Sequence, residues 1–439
     1  MNTLNYGLTP KMKPVSPRRT AVVVALDVGT SKITCLIARL RPNAQGEALR
    51  RRSHAIEVLG FSHAISQGIK GGAIVDLAEA EVAVRNAIAL AERSAKVQVD
   101  GIVLSLSAGR IGSERLAAEI DVQGACVSDH DIARALQAGY RSAASEGRVL
   151  LHALPIGFSL DGTNGVREPR GMLARRFGLD MHLATADLGA CRNLMLVIER
   201  CHLDIEAMVA SAYASGLSTL ADDEADVGAA VIDFGAGTTT LAVFGDGRFV
   251  HADGFALGGN HVTMDLARGL SIGLQSAERI KTLYGSVMGG GSDDRDLIAL
   301  PAIRGEDAPG SVSRAMLTNI IRPRVEEILE MVRDRLATSP FSAEPRGRIV
   351  LTGGGSLLTG LADLAGRVLG RPVSLGRPLG IAGMPDVAKG PAFAAAAGLL
   401  VYPQAAHLEH FESRHTTRQQ RAPSGGYVAR VGRWLRESF

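Results

Sequence analysis

One pattern occurs twice in this chain and constrains its fold more than any other feature. Val22 to Leu26 reads as an apolar strand, followed by Asp27-Val28-Gly29-Thr30-Ser31-Lys32 and a second apolar run, Ile33 to Leu40. Ala229 to Ile232 reads the same way, followed by Asp233-Phe234-Gly235-Ala236-Gly237-Thr238-Thr239 and a strand from Leu241 to Phe244. Strand, tight Gly/Thr turn, strand is a hairpin signature. Glycines let backbone N–H groups come close to an anion, and hydroxyls add donors without charge. An aspartate at the strand end suits a hydrated divalent metal beside phosphates. Either copy alone is also what an ordinary glycine hairpin looks like. The repetition predicts two related α/β domains gripping one phosphorylated ligand from opposite sides. Lys32, without a counterpart in the second copy, could neutralise a phosphate as a point charge.

A third glycine cluster follows much later. Arg348 to Thr352 is a strand, Gly353-Gly354-Gly355-Ser356 a turn, and Leu357 to Leu369 a helix. Such a strand-to-helix junction permits backbone approach to either a phosphate or the flat face of a purine. Ahead of it, Ala277 to Tyr284 forms a helix with Glu278 and Lys281 on one face, as an ion pair or as a grip on a ribose.

Length and composition set outer limits. At 439 residues the chain is long enough for two domains with real cores. A net charge of +3 with only 4% aromatics gives no footing for nucleic acid. Cys35, Cys126, Cys191 and Cys201 are scattered, as structural thiols are, with no zinc or disulfide spacing. No apolar run approaches the ~20 residues that span a bilayer.

Along the chain, Met1 to Thr20 is polar and proline-bearing and reads as a disordered arm. Asp76 caps a helix from Leu77 to Ala95, and Gly101 to Ser107 is a strand. Residues from about Gly109 to Asp180 read as a small α+β insertion in which His130 and His152 stand alone. Ala212 to Leu220 is a small-residue helix suited to hinging, and Asp222 to Asp226 an acidic loop. Ser313 to Ala337 is a long helix with a kink or junction at Pro323, and Tyr402 closes the folded body. Pro403 to Gly426 reads as a polar linker. In the last stretch Val428, Val431, Trp434, Leu435 and Phe439 form an apolar face, flanked by Arg430, Arg433 and Arg436. That is the pattern of an interfacial helix on anionic lipid.

In order, Asp27-x-Gly-Thr-x-Lys, Asp233-x-Gly-x-Gly-Thr-Thr and Thr352-Gly-Gly-Gly resemble the two phosphate motifs and the adenosine motif of the actin, sugar-kinase and DnaK-type ATPase superfamily. Within it, Gly71-Gly72-Ala73-Ile74-Val75-Asp76-Leu77, the run Arg148 to Pro155, Glu199 to Asp204 and Ile349 to Gly354 resemble the FtsA family of bacterial division actins, along nearly the whole chain. The resemblance implies an actin-like two-lobed ATPase fold with duplicated α/β domains, a small α+β insertion in the first lobe and a C-terminal amphipathic helix. It implies ATP, with Mg2+ near Asp27 and Asp233 through water. The nucleotide-contacting residues would be Asp27, Gly29, Thr30, Ser31, Lys32, Asp233, Gly235, Gly237, Thr238, Thr239, Glu278, Lys281, Gly353, Gly354, Gly355 and Ser356.

The resemblance further implies a homopolymer at the cytoplasmic face of the inner membrane, binding the FtsZ C-terminal tail and downstream division proteins, at the division site. The expected parts are an arm at 1–19, a first inner subdomain at 20–99 and 181–208, and the insertion at 100–180. They continue with a second inner subdomain at 209–258 and 331–390, an outer one at 259–330, and a returning helix at 391–402. A linker at 403–426 and a membrane helix at 427–439 complete them. Related ATPases commonly carry a glutamate just before the small-residue helix. Here Val209 to Ala214 offers no carboxylate, so turnover is expected to be slow or absent and no catalytic residue is assigned. Two other readings share the fold: a small-molecule kinase, and a pilus or secretion adaptor.

Overall fold

The computed structural model describes residues 9–43, 52–108, 110–142, 147–290, 295–300, 310–344 and 347–409. The interfacial stretch, with Val428, Arg430, Val431, Arg433, Trp434, Leu435, Arg436 and Phe439, lies outside them. The chain divides into two compact units, the larger holding residues 1–116, 142–156 and 181–409.

The larger unit contains two sheets of one design. In the first, strand Ala21–Val28 is central. On one side lies its antiparallel partner Lys32–Pro42, itself paired antiparallel with His54–Ile65, and on the other the parallel strands Gly101–Leu106 and Asp204–Ala210. In the second, Ala229–Phe234 takes the central place. Thr239–Gly245 and Arg248–Phe255 lie on one side, and the parallel strands Arg348–Thr352 and Val373–Leu375 on the other. The register repeats as well: Asp27 faces Thr34 and Val28 faces Ile33, while Asp233 faces Thr240 and Phe234 faces Thr239. The duplication is therefore one of topology and pairing, not only of motif. A short strand, Ile381–Ala382, returns from late in the chain to the edge of the first sheet.

Both central strands are buried through their apolar runs, as strands covered on two faces must be. Helix Leu77–Ala95 lays Ala80, Ala83, Val84, Ala87, Ile88 and Ala91 on the first core. It starts where Asp76 accepts the N–H groups of Ala78 and Glu79 and stops at Lys96 in the left-handed region. Helix Arg314–Thr338 buries Leu317, Ile321, Val325, Ile328, Leu329 and Val332 in the second core and runs through Pro323 without ending. Two helices rich in small residues, Ser211–Thr219 and Ala394–Ala405, pack backbone to backbone. A Cβ at Gly398 would lie 1.7 Å from Ala214 O, so no other residue permits this approach.

The smaller unit holds residues 117–141 and 157–180 among the described ones. It is built from parts of Gly112–Asp121, Arg148–Leu160, Thr163–Val166 and Arg176–Asp187, with helix Asp129–Ser142. Asp131 is buried there, and its carboxylate accepts from Ser128 and Arg134.

Several expectations need correction. Strand Gly101–Leu106 belongs to the first sheet, so the insertion begins after it and not at residue 100. The supposed disordered arm is docked from Thr9 onward: Met12 is buried in the first core, and the Met208 N–H donates to Pro10 O. Asp222–Val227 is a short helix, because the Glu224 carboxylate accepts the Ala221 N–H. The folded body does not close at Tyr402 but continues to Glu409.

Candidate functional site

Each hairpin turn is closed by one hydrogen bond in the same place. The Gly29 N–H donates to Lys32 O at 3.0 Å, and the Gly235 N–H donates to Thr238 O at 2.9 Å. A Cβ on either glycine would press on that same carbonyl, at 2.9 and 2.8 Å. The aspartates sit at the strand ends, just before the turns. The two turns meet: a Cβ on Gly237 would stand 2.4 Å from Thr30 Oγ1. Thr30 Oγ1 also accepts the Gly72 N–H at 2.9 Å, so the Gly71-Gly72 loop braces the first hairpin.

One cleft is lined by Asp27, Gly29, Thr30, Ser31, Lys32, Asp233, Gly235, Gly237 and Thr238. Glu278, Lys281, Gly353, Gly354 and Gly355 line it as well. Thr239 and Ser356 are not in its wall. Thr239 holds the strand position that Ile33 holds in the first hairpin, is fully buried, and donates to Leu257 O. Ser356 is buried and donates to Gly353 O. Gly353 has φ +84° and a Cβ there would strike Asp233 Oδ1 at 2.4 Å, which brings the third glycine cluster directly against the second aspartate.

The site is rich in charge for a buried place. Burial pushes the Asp27 carboxyl up, against the Ser105 hydroxyl, which donates to it at 2.6 Å, and the Lys32 charge. Burial and then the neighbouring Asp27 charge push Asp233 up to about 6, although Ser215 donates to it at 2.9 Å. Burial lowers Lys32, while both aspartates hold it up. Its ammonium donates to Ala392 O and lies 3.9 Å from the centre of the Phe393 ring. Two carboxyls against one ammonium leave an excess of negative charge, which a divalent cation would relieve. The donor set therefore fits a hydrated metal beside phosphate.

Also in the cleft lining, Lys281 Nζ donates to Glu278 Oε2 at 2.7 Å, Thr263 Oγ1 at 2.7 Å and Gly259 O at 3.0 Å. The turn Gly235-Ala236 is tied to helix Gly259–Gly269, whose Gly259 and Asn260 N–H groups donate to Gly235 O and Ala236 O. Lining residues that the motifs did not flag include Ser107, Ser211, Asn260, Leu357, Leu358 and Ala392. Ser105 and Ser215, behind the aspartates, were also missed. A lone serine on a strand or helix carries no pattern; its meaning comes from a partner brought near by the fold.

Solved structures with this architecture define the class. The chain resembles the PilM–PilN type IV pilus biogenesis complex at TM-score 0.60 and 17% identity, covering 87% of this chain and 98% of that one. It resembles MreB5 of Spiroplasma citri bound to ADP at TM-score 0.52 and 14% identity, covering 89% and 98%. The fold is that of the actin-like proteins. Family models described as "Cell division protein FtsA" and "SHS2 domain inserted in FTSA" match residues 230–398 and 108–185. Over 437 residues the chain is 46% identical to Cell division protein FtsA of Agrobacterium fabrum (strain C58), covering 99% of this chain and 98% of the relative. Cell division protein FtsA of Escherichia coli (strain K12) is 28% identical over 428 residues, covering 95% and 98%. The chain belongs to the FtsA family and is an actin-like cell division protein.

Proposed function

We propose that the cleft binds ATP with Mg2+ and that nucleotide state governs how copies of the chain stack into a filament. The observation that carries this reading is the meeting of two hairpins of identical register, at Thr30 and Gly237, over one cleft. Backbone N–H groups and hydroxyls of both turns would hold the phosphates. Asp27 and Asp233 would hold Mg2+ through water, and the metal would offset the phosphate charge. Lys32 would exchange Ala392 O for a phosphate oxygen. Glu278 and Lys281 would face the ribose, and the Gly353-Gly354-Gly355 turn the purine. All sixteen positions named from the motifs keep this assignment, with Thr239 and Ser356 acting from behind the wall.

Turnover is slow in this reading. The run Val209 to Ala214, compared with the stretch where related ATPases carry a glutamate, brings only the Ser211 hydroxyl to the cleft, and a hydroxyl paired with Thr240 at 3.0 Å is no base for water. A steady-state rate below ~1 s⁻¹ is expected; ordinary enzyme rates would contradict it.

The fine division of the lobes into subdomains and the roles of residues 427–439 belong to the same proposal. The terminal stretch would lie on anionic lipid at the cytoplasmic face of the inner membrane, and the outer part of the second lobe would hold the FtsZ C-terminal tail. Among the described residues no helix is long and apolar enough to cross a membrane. Full-length protein is expected to pellet with anionic vesicles and with an FtsZ tail peptide. Protein lacking 427–439 should keep only the peptide, and equal vesicle binding by both would overturn the tail assignment. The kinase reading needs a carboxylate free to act as base on an acceptor hydroxyl; in this proposal Asp27 and Asp233 serve the metal, and Glu278 is paired with Lys281. A shared fold is all that links the chain to the pilus adaptor.

A further inference from the structure

The first and last described stretches meet at a buried carboxylate, Glu409, whose side chain is 2% exposed. Lys11 donates to Glu409 Oε2, and Tyr402 Oη donates to Oε1 at 3.0 Å. His152 Nδ1 lies 2.8 Å from Oε1, and on its far side Nε2 accepts the Ala210 N–H at 3.0 Å. That acceptor role fixes the tautomer: Nδ1 carries the hydrogen and donates to Glu409. Burial alone would raise the Glu409 carboxyl, but Lys11 and His152 hold it below the usual carboxylate range. His152 itself is fully buried among the rings of Tyr213, Phe249 and Tyr402.

Ala210 is where this network reaches the cleft. It precedes helix Ser211–Thr219, whose Ser211 lines the cleft and pairs with Thr240, and whose Ser215 donates to Asp233. No side chain caps that helix, and the backbone N–H of its N-cap residue, Ala210, is held by His152. We infer that His152 and Glu409 are positioning residues for the nucleotide cleft, so that seating of the chain at Glu409 and ligand binding at Ser211 and Asp233 reinforce each other. The inference rests on the proposed nucleotide site. Linkage makes the coupling reciprocal: whatever Glu409 adds to affinity, bound nucleotide returns to the seating of Glu409.

The test uses the full chain, Mg-ATP calorimetry and amide hydrogen exchange. In the wild type, Mg-ATP is expected to slow exchange over residues 404–409, which no variant is needed to see. Glu409→Ala is expected to weaken Mg-ATP by about fivefold or more, the lower end of ordinary coupling. Glu409→Gln, which can still accept from His152, should recover part of the loss. Glu57→Ala, at a surface pair with Arg41, should change nothing. A purely structural role would lower the melting temperature and leave affinity and ligand-dependent exchange alone. Wild type that binds Mg-ATP with unchanged exchange at 404–409, or a folded Glu409→Ala of wild-type affinity, overturns the inference and leaves the nucleotide site standing. Wild type that takes up no Mg-ATP overturns both.

Discussion

Gly237 is where a single methyl group tests the contact between the lobes. Its Cβ would lie 2.4 Å from Thr30 Oγ1 and 2.8 Å from Thr30 Cγ2, so Gly237→Ala must push the turns apart. A loss of about 1–3 kcal/mol in urea denaturation is expected, with weaker nucleotide binding. Wild-type stability would mean that the turns separate freely. His182 gives a pH signature. It donates from Nδ1 to Phe249 O, pairs with Ser113, and is pushed down to about 3, chiefly by burial, with His251, His152 and Arg115 adding to it. The unfolded chain then binds the extra proton below about 6.5, so this stabilisation is present above that pH and is lost as pH falls through it. Between pH 7 and 5 the loss is about 2 kcal/mol. Asp233, shifted upward, acts in the opposite sense. The quantity to measure is therefore the wild-type minus His182→Gln difference in denaturation free energy at each pH, and a difference that stays flat would contradict the assignment. At this scale the aspartates and glycines were legible, because turn chemistry is local. Ser105 and Ser215 were not, since each acquires its role from a partner far off in sequence.

At the scale of elements, the hairpins were the most legible part. Alternation, a terminal aspartate and a glycine turn all act within a few residues. Helix Leu274–Tyr284 was legible as a helix, and its expected Glu278 and Lys281 do line the cleft. Its Glu278–Lys281 pair is half open to solvent on the glutamate side, so Glu278→Ala should cost only about 0.2–1 kcal/mol of stability. If the pair grips ligand hydroxyls, the same change should weaken nucleotide about tenfold, the worth of a charged hydrogen bond. Calorimetry decides; equal affinity would leave the pair as a surface ion pair. The elements misread share a cause. Asp222–Val227 looked like an acidic loop because its start depends on the Glu224 carboxylate accepting from Ala221. Residues 9–19 looked disordered because their polar composition hides Met12, whose place in the first core depends on a distant sheet.

For the whole molecule, two sheets of one topology present two turns of one register to one cleft, and the small-residue helices beneath allow the lobes to come close. The FtsA-family assignment adds a setting, cell division. What no local pattern announced is the joining of both ends of the described chain at Glu409, since Lys11, His152 and Glu409 meet only once everything between them has folded. Calorimetric titration of Mg-ATP into the full chain tests the central claim most directly, with Lys32→Ala for the first hairpin and Thr238→Val for the second. One nucleotide per chain, with each variant weakening binding severalfold or more, is the expected result. No heat with well-folded protein, or undiminished binding after either change, would contradict it.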